Sequence, residues 1–477
     1  MKKLLVCSMI LAALNSAAAQ DITGSWLGTI PAGGANLRLV FNISKSEAGY
    51  SATFDSPDQK AFGIGCSKTI LTKDSLYIEI AAIGGSYNGV WNGKDAINGI
   101  YKQGGGQIPL DLRRISAEEK AGLSKTPDRP QTPKPPFNYF TQDVEYDNAD
   151  KSVHYGATFS RPNGDGKYPA VIIISGSGTQ DRDGTIFGHK IYWVLADYLT
   201  KNGIAVLRVD DRGAGKSTLG PDIKNATSLT FSYDVEASLN YLETRPDIDK
   251  KHLGLIGHSE GGMIAPMVAA RRKDVSFIVM WGASVTGGAQ INTEQNAHAL
   301  KNAGVDETAI QAFSDLNMQI LSLFSSSATV EALDAKIPTV FAAWKSKQTP
   351  ATLTVLHADK ASDQDIINQY NRLYNMPWMR YFITYNPVND LSKVKCPVLA
   401  INGGKDTQVD AASNLKVIQE TIVKNGNKNV EVKILPGLNH LLQTAKTGDV
   451  SEYEQLSESV SPEAMKIIAD WIKIHTK

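Results

Sequence analysis

Neither sign of charge dominates this chain. Lysine plus arginine number 49 and aspartate plus glutamate also 49, so no net field draws it onto nucleic acid or an anionic bilayer. Cysteine is scarce, with three in 477 residues. Cys7 lies in the extreme N-terminal segment, and Cys66 and Cys396 fall in different domains by the reading below, so two buried free thiols are expected rather than a disulfide. Long apolar runs are missing as well. The stretch 4–14 is shorter than the roughly 20 residues a membrane-spanning helix needs, and no other run approaches that length. No histidine, cysteine or carboxylate cluster has metal-ligand spacing, and no G-x-G-x-x-G follows a strand as a dinucleotide fold requires. No cofactor is therefore expected. The hydrophobic share of 42% and charged share of 21% fit a soluble globular protein, long enough for two units.

The first residues place Lys2 and Lys3 before the short apolar stretch and end in Ala17-Ala18-Ala19 ahead of Gln20. That pattern predicts a cleavable signal peptide over 1–19 and export to a periplasm or the medium, with a retained anchor as the alternative. Cys7 stands ahead of most of the apolar stretch, the wrong side for lipid attachment. From 20 to 115, period-2 alternation (Leu37, Leu39, Phe41, Ile43; Leu76, Ile78, Ile80; Ile108, Leu110, Leu112) between glycine and asparagine turns predicts a small antiparallel β domain, barrel or sandwich. Trp26 and Trp91 fit its core, a carbohydrate platform being the alternative. Five prolines between 116 and 137 predict an extended linker without helix or sheet.

From 138 to 477 the pattern changes. Doubly apolar strands at 170–175, 204–209, 253–257, 277–281, 398–401 and 430–435 alternate with helices at 190–202, 231–244, 260–271, 411–424 and 462–475. Two further strands, near 142–146 and 153–160, precede them. This describes an α/β fold, a mostly parallel sheet covered by helices on both faces. The polar, helical stretch 286–391 is too long for a loop and is read as a helical cap inserted into that sheet.

The segment Gly257-His258-Ser259-Glu260-Gly261 follows a buried strand, opens a helix and matches G-x-S-x-G. A serine at so sharp a turn is lifted above the sheet beside the positive end of the helix, where only glycine fits on either side. Serine is a weak nucleophile without a base, and the base needs a carboxylate to orient it. His440, after the 430–435 strand, and Asp406, after the 398–401 strand, arrive in the order such a sheet requires. Asp410 is the rival acid, better explained as the N-cap of the next helix. His258 is expected to point away into the packed elbow. His154, His189, His252, His298, His357 and His475 are assigned to structure or surface. For the oxyanion, the backbone N–H of Glu260 is one expected donor and that of Ser177 the other, with Gly178 as rival. Asp210 to Ser217 lacks the first glycine of a phosphate loop and is taken as a structural turn, with Arg212 pairing a carboxylate of the preceding loop.

At these residues the chain resembles the α/β-hydrolase superfamily over 141–477. More narrowly, GSGTQDRDG, DDRGAGKS, GHSEGG, GGKDTQV and LPGLNH are similar to bacterial secreted esterases classed with the serine aminopeptidase-type hydrolases, which carry an N-terminal β domain. Gly24-Ser25-Trp26-Leu27-Gly28 and 20–115 are similar to that extra domain. The resemblance implies carboxylic-ester hydrolysis through Ser259, Asp406 and His440. Many relatives have His-Gly where this chain has Ser175-Gly176, which bears on the second oxyanion donor.

The expected partner is a small ester of short, uncharged acyl type, because the cap should enclose the site and Glu260 should repel anions if it faces the pocket. Trp344, Trp378, Tyr370, Tyr374 and Phe382 are spaced as helix-packing residues at least as well as acyl contacts. A peptidase using the same triad, or a decayed hydrolase that binds glycans, are the other readings. The oligomeric state is open.

Overall fold

Where apolar and polar residues alternate over the first hundred positions, the chain pairs with itself. In the computed structural model, which describes residues 21–32, 35–47, 49–59, 61–103, 106–123, 128–327 and 329–477, it divides into two units, Met1–Lys125 and Thr126–Lys477. The signal peptide expected over 1–19 lies outside the described residues. In the first unit ten antiparallel strands from Gly24–Ala32 to Leu112–Ile115 share one sheet. Its first strand sits between the second and the last, with Ser25 opposite Ile115. The inward faces meet around Trp26, Phe41, Phe54, Tyr87 and Tyr101. Trp26 is fully buried and Trp91 packs against the same cluster, so both tryptophans serve the core rather than a sugar platform.

The linker differs from its expected extended form. Ala117–Leu123 is a helix, because all five prolines follow it, alanine, glutamate and lysine favour helix, and Ser116 Oγ accepts the Glu119 N–H at 3.0 Å.

The second unit is built on an eight-stranded sheet. Its strands are β1 (Phe140–Asp147), β2 (His154–Arg161), β3 (Tyr168–Ile174), β4 (Ala205–Val209), β5 (Ile248–His258), β6 (Val275–Trp281), β7 (Val398–Gly403) and β8 (Val430–Leu435). Their order is β1-β2-β4-β3-β5-β6-β7-β8. β2 runs antiparallel to both β1 and β4, and every later pairing is parallel. This is the α/β-hydrolase arrangement. The strands read as continuous apolar runs because alternate residues feed two cores. Ile172, Leu255, Ile278 and Ala400 pack under α2 (Ser228–Thr244), α3 (Glu260–Arg271) and α4 (Ala411–Lys424). Val171, Ile173, Ile256, Val279 and Leu399 pack under α1 (Ile191–Lys201) and α5 (Pro462–His475). Full burial of each such aliphatic side chain stabilises by about 1.5–3 kcal/mol.

Between β6 and β7 stand helices running from Gly288–Asn302 to Val388–Leu391, the expected cap. It has its own core around Ile320, Phe324, Ile337, Phe341, Trp344, Tyr370 and Tyr374. Among the described residues no helix is long and apolar enough to cross a membrane.

Candidate active site

Parallel strands end together at one edge, so the loops after β3, β5, β7 and β8 converge. β5 ends at His258 and α3 begins at Glu260, leaving Ser259 alone to make the turn at φ 56°, ψ −115°. A side chain is rarely held there, and the surroundings hold this one. Ser259 N–H donates to the Trp281 carbonyl at 2.8 Å, and the Ser259 carbonyl accepts from Gly262 N–H at 2.9 Å. The flanking glycines answer to contact. A Cβ at 257 would stand 2.1 Å from the Gly261 carbonyl oxygen, and one at 261 would stand 2.4 Å from that of Ile174.

His440 follows β8 and is buried. Its Nδ1 lies 2.7 Å from Asp406 Oδ2. A carboxylate can only accept, so Nδ1 carries the proton and Nε2 is the basic nitrogen of the ring. Asp406 is fixed in turn, because its Oδ1 accepts the N–H groups of Gln408 and Val409, each at 2.9 Å. Asp410 does something else. It caps α4, accepting from Ser413 N–H at 2.8 Å and Ser413 Oγ at 2.6 Å.

His258 corrects one expectation. Its ring is buried but does not turn away: it lies 4.8 Å from the His440 ring and 4.4 Å from Trp281. Burial, with His440 beside it, holds its pKa well below the usual histidine value, so the ring is neutral. His258 Nδ1 is 3.1 Å from the hydroxyl of Tyr192 on α1. Burial pushes that phenol far up, so it keeps its proton.

The loop after β3 passes directly over the elbow. A Cβ at Gly176 would come within 3.1 Å of Ser259 Cβ. Gly176 N–H is taken, donating to Tyr192 Oη at 3.1 Å. That leaves Ser177, exposed at the loop tip, and Gly178 as the next N–H groups along the loop.

Arg212 is a second correction. It does not pair with the preceding loop but with Asp234 of α2, at 2.6 and 2.7 Å. The pairing with that loop is made by Asp210, which accepts from Arg182 N–H at 2.8 Å and from its guanidinium at 2.5 Å. Asp211 accepts from Ser175 Oγ at 2.6 Å and from Gln180 N–H at 2.8 Å. Sequence reasoning passed over Asp210, Asp211 and Tyr192. The available signal was two adjacent acids leaving a doubly buried strand, a costly place for carboxylates without donors.

A cavity of about 490 Å³ adjoins the elbow. Gly176 and Glu260 border it beside Ser259, Ile172, Ile174, Phe231, Val235 and Ile264 supply apolar wall, and Met376 and Trp378 close it from the cap. Trp378 is therefore more than a helix-packing residue. Its indole N–H donates at 2.8 Å to Glu260 Oε1, which also accepts from Ser228 Oγ at 2.7 Å. Trp344, Tyr370 and Tyr374 do belong to the cap core, and Phe382 packs into the core beneath α2, α3 and α4.

The family model described as serine aminopeptidase, S33, matches residues 188–446. Esterase EstD of Thermotoga maritima is 24% identical over 316 residues, 65% of this chain and 63% of that protein, so the chain spans under two thirds of this relative's length. Among solved structures, an esterase of Pyrococcus furiosus is 17% identical, covers 71% of this chain and 92% of its own, and has a TM-score of 0.41. The α/β hydrolase GrgF from Penicillium sp. sh18 is 18% identical, covers 70% and 99%, and has a TM-score of 0.42.

Proposed function

From a chain that belongs to the serine aminopeptidase (S33) family of α/β hydrolases, we propose an exported serine hydrolase that cleaves carboxylic esters through an acyl-enzyme on Ser259. The observation that carries the proposal is the pairing of a strained elbow serine with a buried His440–Asp406 contact of 2.7 Å on the same sheet edge. In the proposed reaction His440 Nε2 takes the Ser259 proton as Oγ attacks the ester carbonyl, then gives it to the leaving alcohol. Water activated by the same nitrogen releases the acid. The N–H groups of Glu260 and Ser177 stabilise the oxyanion.

For substrate class, we propose short, uncharged acyl groups held in the cavity. Asp210, Asp211, Asp234 and Glu260 line it against Arg212, which is held by Asp234, and Lys224, and this excess of carboxylates disfavours an anionic acyl group. A peptidase using the same triad is the second reading, favoured by those two carboxylates as partners for a free amine. The test is one panel of p-nitrophenyl esters from acetate to palmitate, feruloyl and acetylated sugar esters, and aminoacyl-naphthylamides, with Ser259→Ala as control. Ser259→Ala is expected to abolish turnover in a folded protein, and turnover that survives rejects the site. A higher kcat/KM on palmitate rejects the short-acyl pocket, and one on aminoacyl amides promotes the peptidase. Export predicts a mature protein beginning near Gln20, and a cytosolic protein retaining Met1 would contradict it.

A further inference from the structure

We propose that Asp211 is a positioning residue for the oxyanion loop, clasping the segment Ser175 to Gln180 at both ends so that the N–H groups between them face the carbonyl under attack at Ser259. The proposal rests on the serine-hydrolase reading above.

The clasp is built from three bonds around one residue. Asp211 Oδ1 accepts from Ser175 Oγ at 2.6 Å and Oδ2 accepts from Gln180 N–H at 2.8 Å. The Asp211 N–H donates back to the Gln180 carbonyl at 3.1 Å. Ser175 directly follows β3 and Gln180 lies five residues on, so one side chain closes the base of the turn whose tip carries Ser177 and Gly178. Tyr192 braces the same turn from the other side, its hydroxyl accepting from Gly176 N–H and donating to Gln180 Oε1, each at 3.1 Å. Gly178 has φ 87° and no neighbour within 4 Å of where a Cβ would stand. At the tip the Gln180 side chain donates to the Ser177 carbonyl at 3.3 Å, and the other bonds that hold the turn come from its base.

An acid here is otherwise hard to explain. Asp211 lines a mostly apolar cavity. Burial pushes its carboxyl up to about 7, and Glu260 on α3 and Asp234 on α2 repel it in the same direction. The cations at the cavity are Arg212 and the exposed Lys224. Arg212, the adjacent cation, is bound to Asp234. A carboxylate that gains no ion pair is retained for its two acceptor oxygens, spaced to take a hydroxyl and a backbone N–H together.

The test compares kcat and KM on p-nitrophenyl butyrate for wild type, Asp211→Ala, Asp211→Asn and Ser175→Ala, with Ser259→Ala as reference. Asp211→Ala is expected to lower kcat about 10- to 100-fold with KM within about twofold, because the loss falls on the transition-state oxyanion. Asp211→Asn should recover most of that loss, since its amide oxygen takes the place of Oδ2 in accepting from Gln180 N–H and its Nδ2 donates to Ser175 Oγ. Ser175→Ala removes one arm of the clasp and should lower kcat about threefold to tenfold. This variant decides the matter if Asp211→Ala does not fold. Wild-type kcat in Ser175→Ala or in folded Asp211→Ala overturns the clasp, and so does Asp211→Asn failing as badly as alanine, which would make charge the cause. Esterase activity persisting in Ser259→Ala is a different failure, that of the site itself.

Discussion

Replacing Asp406 by asparagine changes one atom and tests the whole geometry around His440. Asparagine keeps the shape, and its Oδ1 still accepts from Gln408 and Val409, the bonds that hold the turn. At the 2.7 Å contact with His440 Nδ1 it presents an N–H2 donor where the carboxylate accepted. Nδ1 must then surrender its proton to become the acceptor, and the proton moves to Nε2, the nitrogen required as base. An equivalent change in a serine protease lowers kcat about 10⁴-fold, which is about 5 kcal/mol of transition-state stabilisation. Stability should fall far less, because both backbone bonds survive. Asp410→Asn is the matched control, since asparagine caps a helix as well as aspartate does, and its expected change in kcat is under about twofold. The assay is kcat on p-nitrophenyl butyrate together with urea unfolding of all three proteins. Asp406→Asn within about tenfold of wild type, or Asp410→Asn the more damaged, would refute the assignment of the acid.

Gly261→Ala would press a methyl group to 2.4 Å from the Ile174 carbonyl and 2.5 Å from that of Ser175, at an expected cost of about 1–3 kcal/mol in urea unfolding and most of the activity. Ordinary stability with full activity in that variant would contradict the tight elbow. Because Asp211 titrates at about 7 in the fold against 3.8 for the free group, the folded state holds an extra proton between those values. Stability is therefore lost as pH rises through that window, by at most about 1.4 kcal/mol per pH unit. Thermal melts at pH 5 to 8 should show wild type declining relative to Asp211→Asn, and parallel curves would sink the prediction. Burial pushes the Cys66 thiol up to about 11 and the Cys396 thiol to about 12. The two thiols are free as expected but only partly buried rather than enclosed, so it is the raised values that should make them resist a thiol reagent at pH 8 and react at once in denaturant, and rapid labelling of the native protein would contradict this.

The sequence made the strands visible because the sheet is buried on both faces. Helices 260–271, 411–424 and 462–475 and strand 430–435 match their expected limits residue for residue. The candidate site was legible where a residue type and a backbone break coincide, as at Ser259 between Gly257 and Gly261. It was not legible where function depends on what a side chain meets across the fold. Nothing local says that Arg212 crosses to Asp234, that Trp378 reaches Glu260 from the cap, or that His258 faces His440. The helix at Ala117–Leu123 was hidden for another reason: proline content averaged over the linker masked a short run that precedes every proline.

The cap is inserted between β6 and β7, so Ser259 lies upstream of it and Asp406 and His440 lie downstream. β6 meets β7 with Ile278 opposite Val398, a join across more than a hundred residues of chain. During synthesis Ser259 emerges long before Asp406 and His440, so under the proposed mechanism the nascent protein stays inert until β8, the last strand of the sheet, has docked and His440 behind it is in place. The entropy of that closure grows only slowly with loop length, about 0.6 kcal/mol per doubling. The inserted residues are not loose loop but pack around a core of their own. On that mechanism activity reports completion: a chain truncated anywhere before His440 keeps Ser259 and lacks its proposed base.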